Sequence, residues 1–365
     1  MITRVNNKKD LKSFVYFIKD LYKGEPHYIY PVFYILLKEL KKRVLDEKTY
    51  KAILCYKNNQ IVGRLLYTFE FNEKTKKDVC YFSYFDFINN QEVFNELSEH
   101  MENDMINANI DYSEGCFTPY DPDNRRGVLV KGFNDDPVIF TSYNYPYYQE
   151  LYTNYGFNKA HDTFSLQPEA SDENYKKLNL LAQFFERRFE VELLPINLKN
   201  MDQEINDIHQ ILMEATTEDI YQEAPSIDLI KQIAKNLKLF LNPEIIIIAR
   251  EKETRKPIGF AFCLLDYNQI FKLTKGKINV FKLLIPLKYI NRSRGMMQYV
   301  VPKYQNSGLI GYMYFEIYNA YKRLGITKFE AGTMMESNPK SFNVFSKFGG
   351  EVKKIYRIYR KEITK

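Results

Sequence analysis

The chain has no tryptophan among its 365 residues, only four cysteines and four histidines, and no apolar run long enough to span a bilayer. Cys55, Cys80, Cys116 and Cys263 never fall into a CxxC spacing, and the histidines show no paired spacing. That argues against a zinc site or a disulfide framework and for reduced thiols in a reducing compartment. The most apolar stretches, 245–249 and 283–287, fall far short of the ~20 residues a transmembrane helix needs. The first ten residues are polar and lack the apolar core of a secretory signal. These absences predict a cytoplasmic protein with no membrane span and no metal. Charge of one sign is also missing: 52 Lys and Arg face 46 Asp and Glu, a net of +6. The excess is dispersed, so no nucleic-acid surface is expected. A small phosphate-bearing ligand suits this balance equally well. What is abundant is tyrosine (30) and phenylalanine (27), which supply core volume.

The length suits two domains of roughly 150–200 residues each, and the chain repeats itself at that scale. Gly63 closes the hairpin signal Lys57-Asn58-Asn59-Gln60-Ile61-Val62-Gly63, and Gly259 closes a similar one 196 residues later. Pro146 opens a segment ending on Gly156, and Pro339 opens one ending on Gly349, 193 residues later. Two different landmarks sharing one offset predict two copies of one domain. The polar stretch 167–173, with Pro168, is the expected linker, which places the domains at 1–167 and 174–365.

Periodicity and punctuation outline the elements. Leu11, Phe14, Val15, Ile18 and Leu21 form a helical stripe stopped by Gly24, and a second helix is expected over 31–44. Strands are predicted at 52–56, 61–71 and 79–87, a helix at 91–107, a long loop at 115–136, a helix at 146–155 and a strand at 157–166. The second half predicts helices at 175–188, 201–215 and 227–239, and strands at 189–194, 244–250 and 258–265. Residues 266–295 have no counterpart in the first half. They mix Lys272, Lys275, Lys277, Lys282, Lys288, Arg292 and Arg294 with Phe271, Phe281, Leu283, Leu284 and Tyr289, and are expected to cover an acceptor site. A strand at 297–302, a loop, a helix at 309–324 stopped by Gly325, and a strand at 327–331 follow. Asn338 and Pro339 then read as cap and first residue of a short helix, and the last strand is expected at 352–359.

The strand, loop and long helix around residue 308 make an anion site. The first amides of a helix have no internal partner and sit at the positive end of the macrodipole. Gly308 and Gly311 allow close backbone approach, and Ser307 can cap the helix or bond a phosphate oxygen.

This order of strand, loop and helix, strand, short helix and strand resembles the GNAT acyltransferase superfamily. There a Gln/Arg-x-x-Gly-x-Gly/Ala loop cradles the pyrophosphate of coenzyme A. Gln305, Asn306, Ser307, Gly308, Leu309, Ile310 and Gly311 match the Gln and the first Gly, and depart at Ile310. A second family signature is similar to the run carrying Asn338, Ser341, Val344, Phe345, Lys347 and Gly349. The first half carries Gly127-Val128-Leu129-Val130-Lys131-Gly132-Phe133 and Tyr143-Asn144-Tyr145-Pro146-Tyr147-Tyr148, which resemble bacterial proteins with two GNAT copies. The resemblance implies a tandem α/β fold, each half a mixed sheet flanked by helices.

It also implies transfer of an acetyl or other acyl group from acyl-coenzyme A to a small-molecule or peptide amine. Residues 305–311, Asn338, Ser341 and Phe345 would line the cofactor, with Val300 and Val301 on the strand that pairs its pantetheine arm. The signature tyrosine, which protonates the departing thiolate, is Phe345 here; Tyr304 or Tyr356 is the expected substitute. Glu330 and Glu336 flank the strand where a base is wanted, and Glu336 is the expected one. The first half keeps Tyr152 at the signature position but has no glycine in 88–92, so it is expected to be degenerate for coenzyme A and Tyr152 to be core. Two rivals stay open: a non-catalytic acyl-coenzyme A sensor, favoured by Phe345, and a Fem-like transferase using aminoacyl-tRNA, disfavoured by the dispersed charge. Acceptor, acyl length and oligomeric state are left open.

Overall fold

The computed structural model describes residues 1–121, 124–169, 171–216, 225–277 and 289–363. The first half contains β1 (Ile2–Arg4), α1 (Lys8–Tyr16), α2 (Ile18–Leu21), α3 (Phe33–Leu40), β2 (Lys51–Lys57), β3 (Gln60–Asn72) and β4 (Lys77–Phe87). It continues with α4 (Gln91–Asn107), β5 (Tyr112–Gly115), β6 (Val128–Lys131), α5 (Tyr148–Asn154) and β7 (Asn158–Gln167). The second half contains α6 (Asp172–Glu186), β8 (Val191–Pro195), α7 (Met201–Ala215), α8 (Ile227–Leu237), β9 (Ile246–Glu251) and β10 (Pro257–Leu265). It ends with α9 (Asn268–Thr274), β11 (Arg292–Val300), α10 (Leu309–Leu324), β12 (Lys328–Met335), α11 (Pro339–Ser346) and β13 (Glu351–Glu362).

Local chemistry accounts for most boundaries. Asn58 and Asn59 take φ of +51° and +61°, the left-handed pair that a two-residue hairpin turn requires. Gly325 ends α10 at φ +73°, and Asn338 caps α11 by accepting from the Ser341 amide at 3.2 Å. The strand expected over 297–302 ends at Val300, because Pro302 cannot donate to a ladder and opens a short 3-10 turn instead. The segment 115–136, read as loop, contains the short strand β6; four residues are too few to show a period.

The two halves share one mixed sheet in the order β1-β2-β3-β4-β5-β13-β7-β12-β11-β10-β9-β8, with β6 also on β13. The closing strands are exchanged. β7, the last strand of the first half, pairs with β12 (Leu166 opposite Ala331), and β13, the last strand of the chain, pairs with β5 (Gly115 opposite Tyr359). Each half's final strand thus lies in the sheet against a strand of the other half.

The repeat extends to a shared irregularity. β4 runs parallel to β5 only as far as Phe82 opposite Gly115, and β11 parallel to β12 only as far as Gly295 opposite Ala331. Just beyond each end point the register with the preceding strand slips by one residue, at Tyr84–Phe85 on β4 and at Met296 on β11. Each bulge bends its strand, and the parallel ladder stops beside it, which leaves a gap in the pairing.

A loop and a helix also cross between the halves. The Ile139 amide donates to Asp266 Oδ1 at 2.8 Å, and the Arg292 guanidinium donates to the carbonyls of Asp136 and Pro137. α9 reaches back: Lys272 pairs with Asp136, and Gly276 lies against Phe33 and Pro31 with no room for a Cβ. The expected cover over 266–295 is thus, in its described part, an anchor onto the first half; residues 278–288 lie outside the described residues. Among those residues no helix is long and apolar enough to cross a membrane, and no three His, Cys, Asp or Glu cluster as a metal site.

His161 sits in the exchanged strand β7 opposite Ile358, its Nε2 buried without a partner among the described residues. Burial, helped by Arg126, lowers its pKa to about 4. Its native pKa lies below the unfolded value of about 6.5, so its contribution is complete above pH 6.5 and is lost as pH falls toward 4. His161→Phe is expected to flatten the thermal-stability profile over that window; an unchanged slope would remove His161 as its source.

Candidate cofactor and catalytic site

The second-half gap is bounded by β11 and β12, with α10 starting above its open end. Beyond Gly295, β11 pairs only with β10, which leaves its other edge unpaired over 296–300 among the described residues. At the top, Gln305 anchors the turn by donating from Nε2 to the Val300 carbonyl at 3.3 Å, and Val301 donates to Ile258. Asn306 at φ +59° and Gly308 at φ +100° then reverse the chain into α10. Ser307 Oγ donates to the Tyr304 carbonyl at 2.6 Å and accepts from the Leu309 amide at 3.3 Å. Among the described residues the amides of Gly308, Ile310 and Gly311 meet no acceptor. Three amides pointing out of one helix start form a cradle for an oxyanion. Gly311 has a second reason to be glycine: its Cα faces α6, where a Cβ would come within 2.8 Å of Leu181 Cδ1.

The equivalent helix start in the first half is closed. Asn90 caps α4 with its own side chain, accepting from the Val93 amide at 3.1 Å. The gap beside it is filled by rings: Tyr152 is fully buried, stacks on Tyr359 at 4.5 Å and packs against Phe82, Phe85 and Phe94. Its hydroxyl meets Cys116 Sγ at 3.1 Å, and burial pushes that hydroxyl's pKa well above the usual range.

The expected acid substitutes lie elsewhere. The Tyr304 hydroxyl donates to Glu251 Oε1 at 2.7 Å and lines a cavity of about 450 Å³ with Glu214, Lys256 and Lys303, beside the β9–β10 turn. Tyr356 is fully buried in the core of the first half. Phe345 is buried against Leu166, Ala331 and Met334. Glu336 Oε2 accepts from Lys159 Nζ at 2.6 Å and Oε1 from the Asp162 amide at 3.0 Å. Burial would raise this carboxyl, but those two donors outweigh it and hold it below the usual range. Glu330 is spent on structure, accepting from Ser165 and from Lys354.

One residue that the sequence reading passed over does face the gap. Tyr314, on α10, points its hydroxyl at the fork of the two strands: a Cβ on Gly295 would sit 3.5 Å from it. Its ring packs edge-on to Phe345, with centroids 5.4 Å apart. Its hydroxyl has no hydrogen-bond partner among the described residues, and burial raises its pKa well above the usual range. The signal was available, since Tyr314 lies six residues past Gly308 on the helix that the loop opens.

No family model matches the chain. Protein YghO of Escherichia coli (strain K12) is 24% identical over 370 residues, covering 98% of this chain and 94% of that one. A bacterial ceramide synthase of Caulobacter vibrioides is 23% identical over 253 residues, 65% of this chain and 63% of that protein, so the match spans less than two thirds of its length. Among solved structures, the GCN5-related glucosamine N-acetyltransferase region of a fungal multi-domain β-N-acetylglucosaminidase superposes with a TM-score of 0.60 at 12% identity. That match covers 99% of this chain and 38% of the other. A tandem GNAT protein from the clavulanic acid biosynthesis pathway superposes with a TM-score of 0.59 at 8% identity, over 99% and 98% of the two chains. Two half-length copies, each with a bulged and forked pair of parallel strands, joined in one sheet and superposing along their whole length on such a protein, make this chain a tandem GNAT fold.

Proposed function

We propose that the chain transfers an acyl group from acyl-coenzyme A to an amine, using the second-half gap. The observation that carries this is the cradle of unpartnered amides at Gly308, Ile310 and Gly311 directly above the open edge of β11. The diphosphate would rest on those amides. The pantetheine arm would add itself to the free edge over 296–300 and carry the thioester down to the fork at Gly295. Asn338, Ser341 and Phe345, on the neighbouring helix start and its buried face, would flank the arm. Coenzyme A supplies an activated acyl group and a good leaving thiolate.

Tyr314 is the proposed acid for that thiolate. Its raised pKa keeps it protonated, as a donor must be. Glu336 remains the proposed base, but a carboxylate held low by Lys159 abstracts a proton from an ammonium poorly, so the acceptor enters as the free amine. The 23% likeness to a protein named as a bacterial ceramide synthase supports adding the amine precursor of a ceramide to the acceptor panel.

Gly308→Ala puts a Cβ on a residue at φ +100°. A left-handed conformation costs an L-residue about 1–2 kcal/mol, so acetyl-coenzyme A binding by calorimetry is expected to weaken about tenfold. Unchanged affinity would place the cofactor elsewhere. The absence of a signature tyrosine at Phe345 favours a second reading, an acyl-coenzyme A-binding protein without turnover. Binding with no free-thiol release on any amine would select it.

A further inference from the structure

The helix α6 has two apolar faces and only one of them is covered. Asn174, Leu178, Ala182 and Phe185 are buried, and on that side the helix packs along α10. Away from that side, Leu180, Leu181 and Phe184 are 65%, 36% and 51% exposed. Spacings of three and four residues put them on one stripe of the helix. Lys176 and Lys177 stand one turn before these three and Arg187 and Arg188 one turn after them, all exposed. Exposed Phe71, Ile106 and Met213 stand singly on β3, α4 and α7, which is ordinary for a protein surface. A contiguous patch marks a surface that meets something.

The charge along the stripe is of one sign apart from Glu173, which Lys177 pairs at 2.7 Å. Lys176, Arg187 and Arg188 make no ion pair among the described residues, and the Arg188 guanidinium lies over the Phe184 ring at 4.7 Å. Glu186, on the flank, accepts from the Tyr312 hydroxyl at 2.7 Å. Unpaired cations bracketing leucine and phenylalanine suit a surface that is anionic outside and apolar beneath. Their long stems let the charged heads stay at the phosphates while the apolar side chains enter between the acyl chains. A protein partner would have to strip water from the same cations and pair each one. The stripe borders the amide cradle: a Cβ on Gly311 would sit 2.8 Å from Leu181 Cδ1.

We propose that this stripe of α6 rests on an anionic lipid bilayer, with Leu180 and Phe184 entering the headgroup boundary and Lys176, Arg187 and Arg188 on lipid phosphates. The contact is peripheral, since among the described residues no helix is long and apolar enough to cross a membrane. It stands whether or not the chain transfers acyl groups.

Co-sedimentation of the full chain with phosphatidylcholine vesicles, with and without one part in three of phosphatidylglycerol, tests it. Binding is expected only to the anionic vesicles, and about 0.5 M NaCl should release it by screening. Arg187→Glu combined with Arg188→Glu is expected to weaken partitioning at least about tenfold, and Leu180→Ser combined with Phe184→Ser several-fold, with the melting temperature of each as the folding control. Because the chain has no tryptophan, Phe184→Trp gives a single reporter, whose emission should shift to the blue on anionic vesicles. Phe71→Trp, on the equally exposed ring of β3, should not shift. Equal binding to both vesicles overturns the proposal, as does partitioning unchanged in either double variant or an equal shift at position 71. A dimer in gel filtration that Leu180→Ser with Phe184→Ser breaks would make the stripe an interface between copies and also overturns it. So does a loss of acetyl-coenzyme A affinity in the arginine variant, which would give the stripe to the cofactor. If either double variant does not fold, the other and the Phe184→Trp shift decide.

Discussion

Lys354→Ala is expected to destabilise the protein by about 3–5 kcal/mol, the cost of leaving a buried charge without its partner. Lys354 is fully buried on β13, and its ammonium donates to Glu330 at 2.8 Å and to Asp135 at 2.7 Å. Burial opposes that charge, but Glu330, Tyr356 and Asp135 outweigh it and hold the lysine pKa above its ordinary value. Glu330 is 2% exposed, and without Lys354 it keeps only the Ser165 hydroxyl, at 2.5 Å, among these donors. The three groups come from three places: Glu330 from β12, Lys354 from the exchanged strand and Asp135 from the first-half loop. Their loss should therefore loosen both halves together, as one cooperative transition at lower denaturant. Lys354→Met combined with Glu330→Gln removes both charges and should recover most of the loss, since a pair replaced whole is often nearly neutral. A single variant within 1 kcal/mol of the parent, or unfolding in two separate steps, would refute the coupling.

The exchange behind that prediction was not legible in the sequence. The repeat was visible, because Gly63 and Gly259, and Pro146 and Pro339, are local punctuation with local causes. Residues 309–324 were readable as a helix to the residue, from their apolar spacing and the Gly325 stop. The loop at Gln305–Gly308 was found for the same reason. Which strand β13 joins is set by non-local pairing, and the alternation of 351–362 reads the same whether its neighbour is β12 or β5. Glu330 looked like a candidate catalytic carboxylate and Arg294 like part of a basic cover, because their burial depends on contacts to Ser165 and Ile139 that are remote in sequence. Tyr304 and Tyr356 were chosen as acids by nearness in sequence, whereas Glu251 and the first-half core hold them.

The second large effect concerns that acid. Tyr314→Phe is expected to lower kcat for acyl transfer by about 100-fold or more, the usual worth of a positioned proton donor, while the KM for acyl-coenzyme A changes little. A loss confined to kcat removes an interaction made only in the transition state. Three observations converge on this residue. Its hydroxyl faces the fork at Gly295, it has no hydrogen-bond partner among the described residues, and its ring packs on Phe345, the position to which the sequence resemblance assigns a tyrosine donor. Because burial raises its pKa well above 10, the donor stays protonated as pH rises, so the rate should show no loss from this group up to pH 10. Tyr304→Phe should leave kcat within a few-fold, since that hydroxyl serves Glu251. Phe345→Tyr made in the Tyr314→Phe background returns a hydroxyl to the facing ring and should restore part of the lost rate. A Tyr314→Phe enzyme with parental kcat would end the assignment, and the proton would then have to come from solvent entering the open edge of β11.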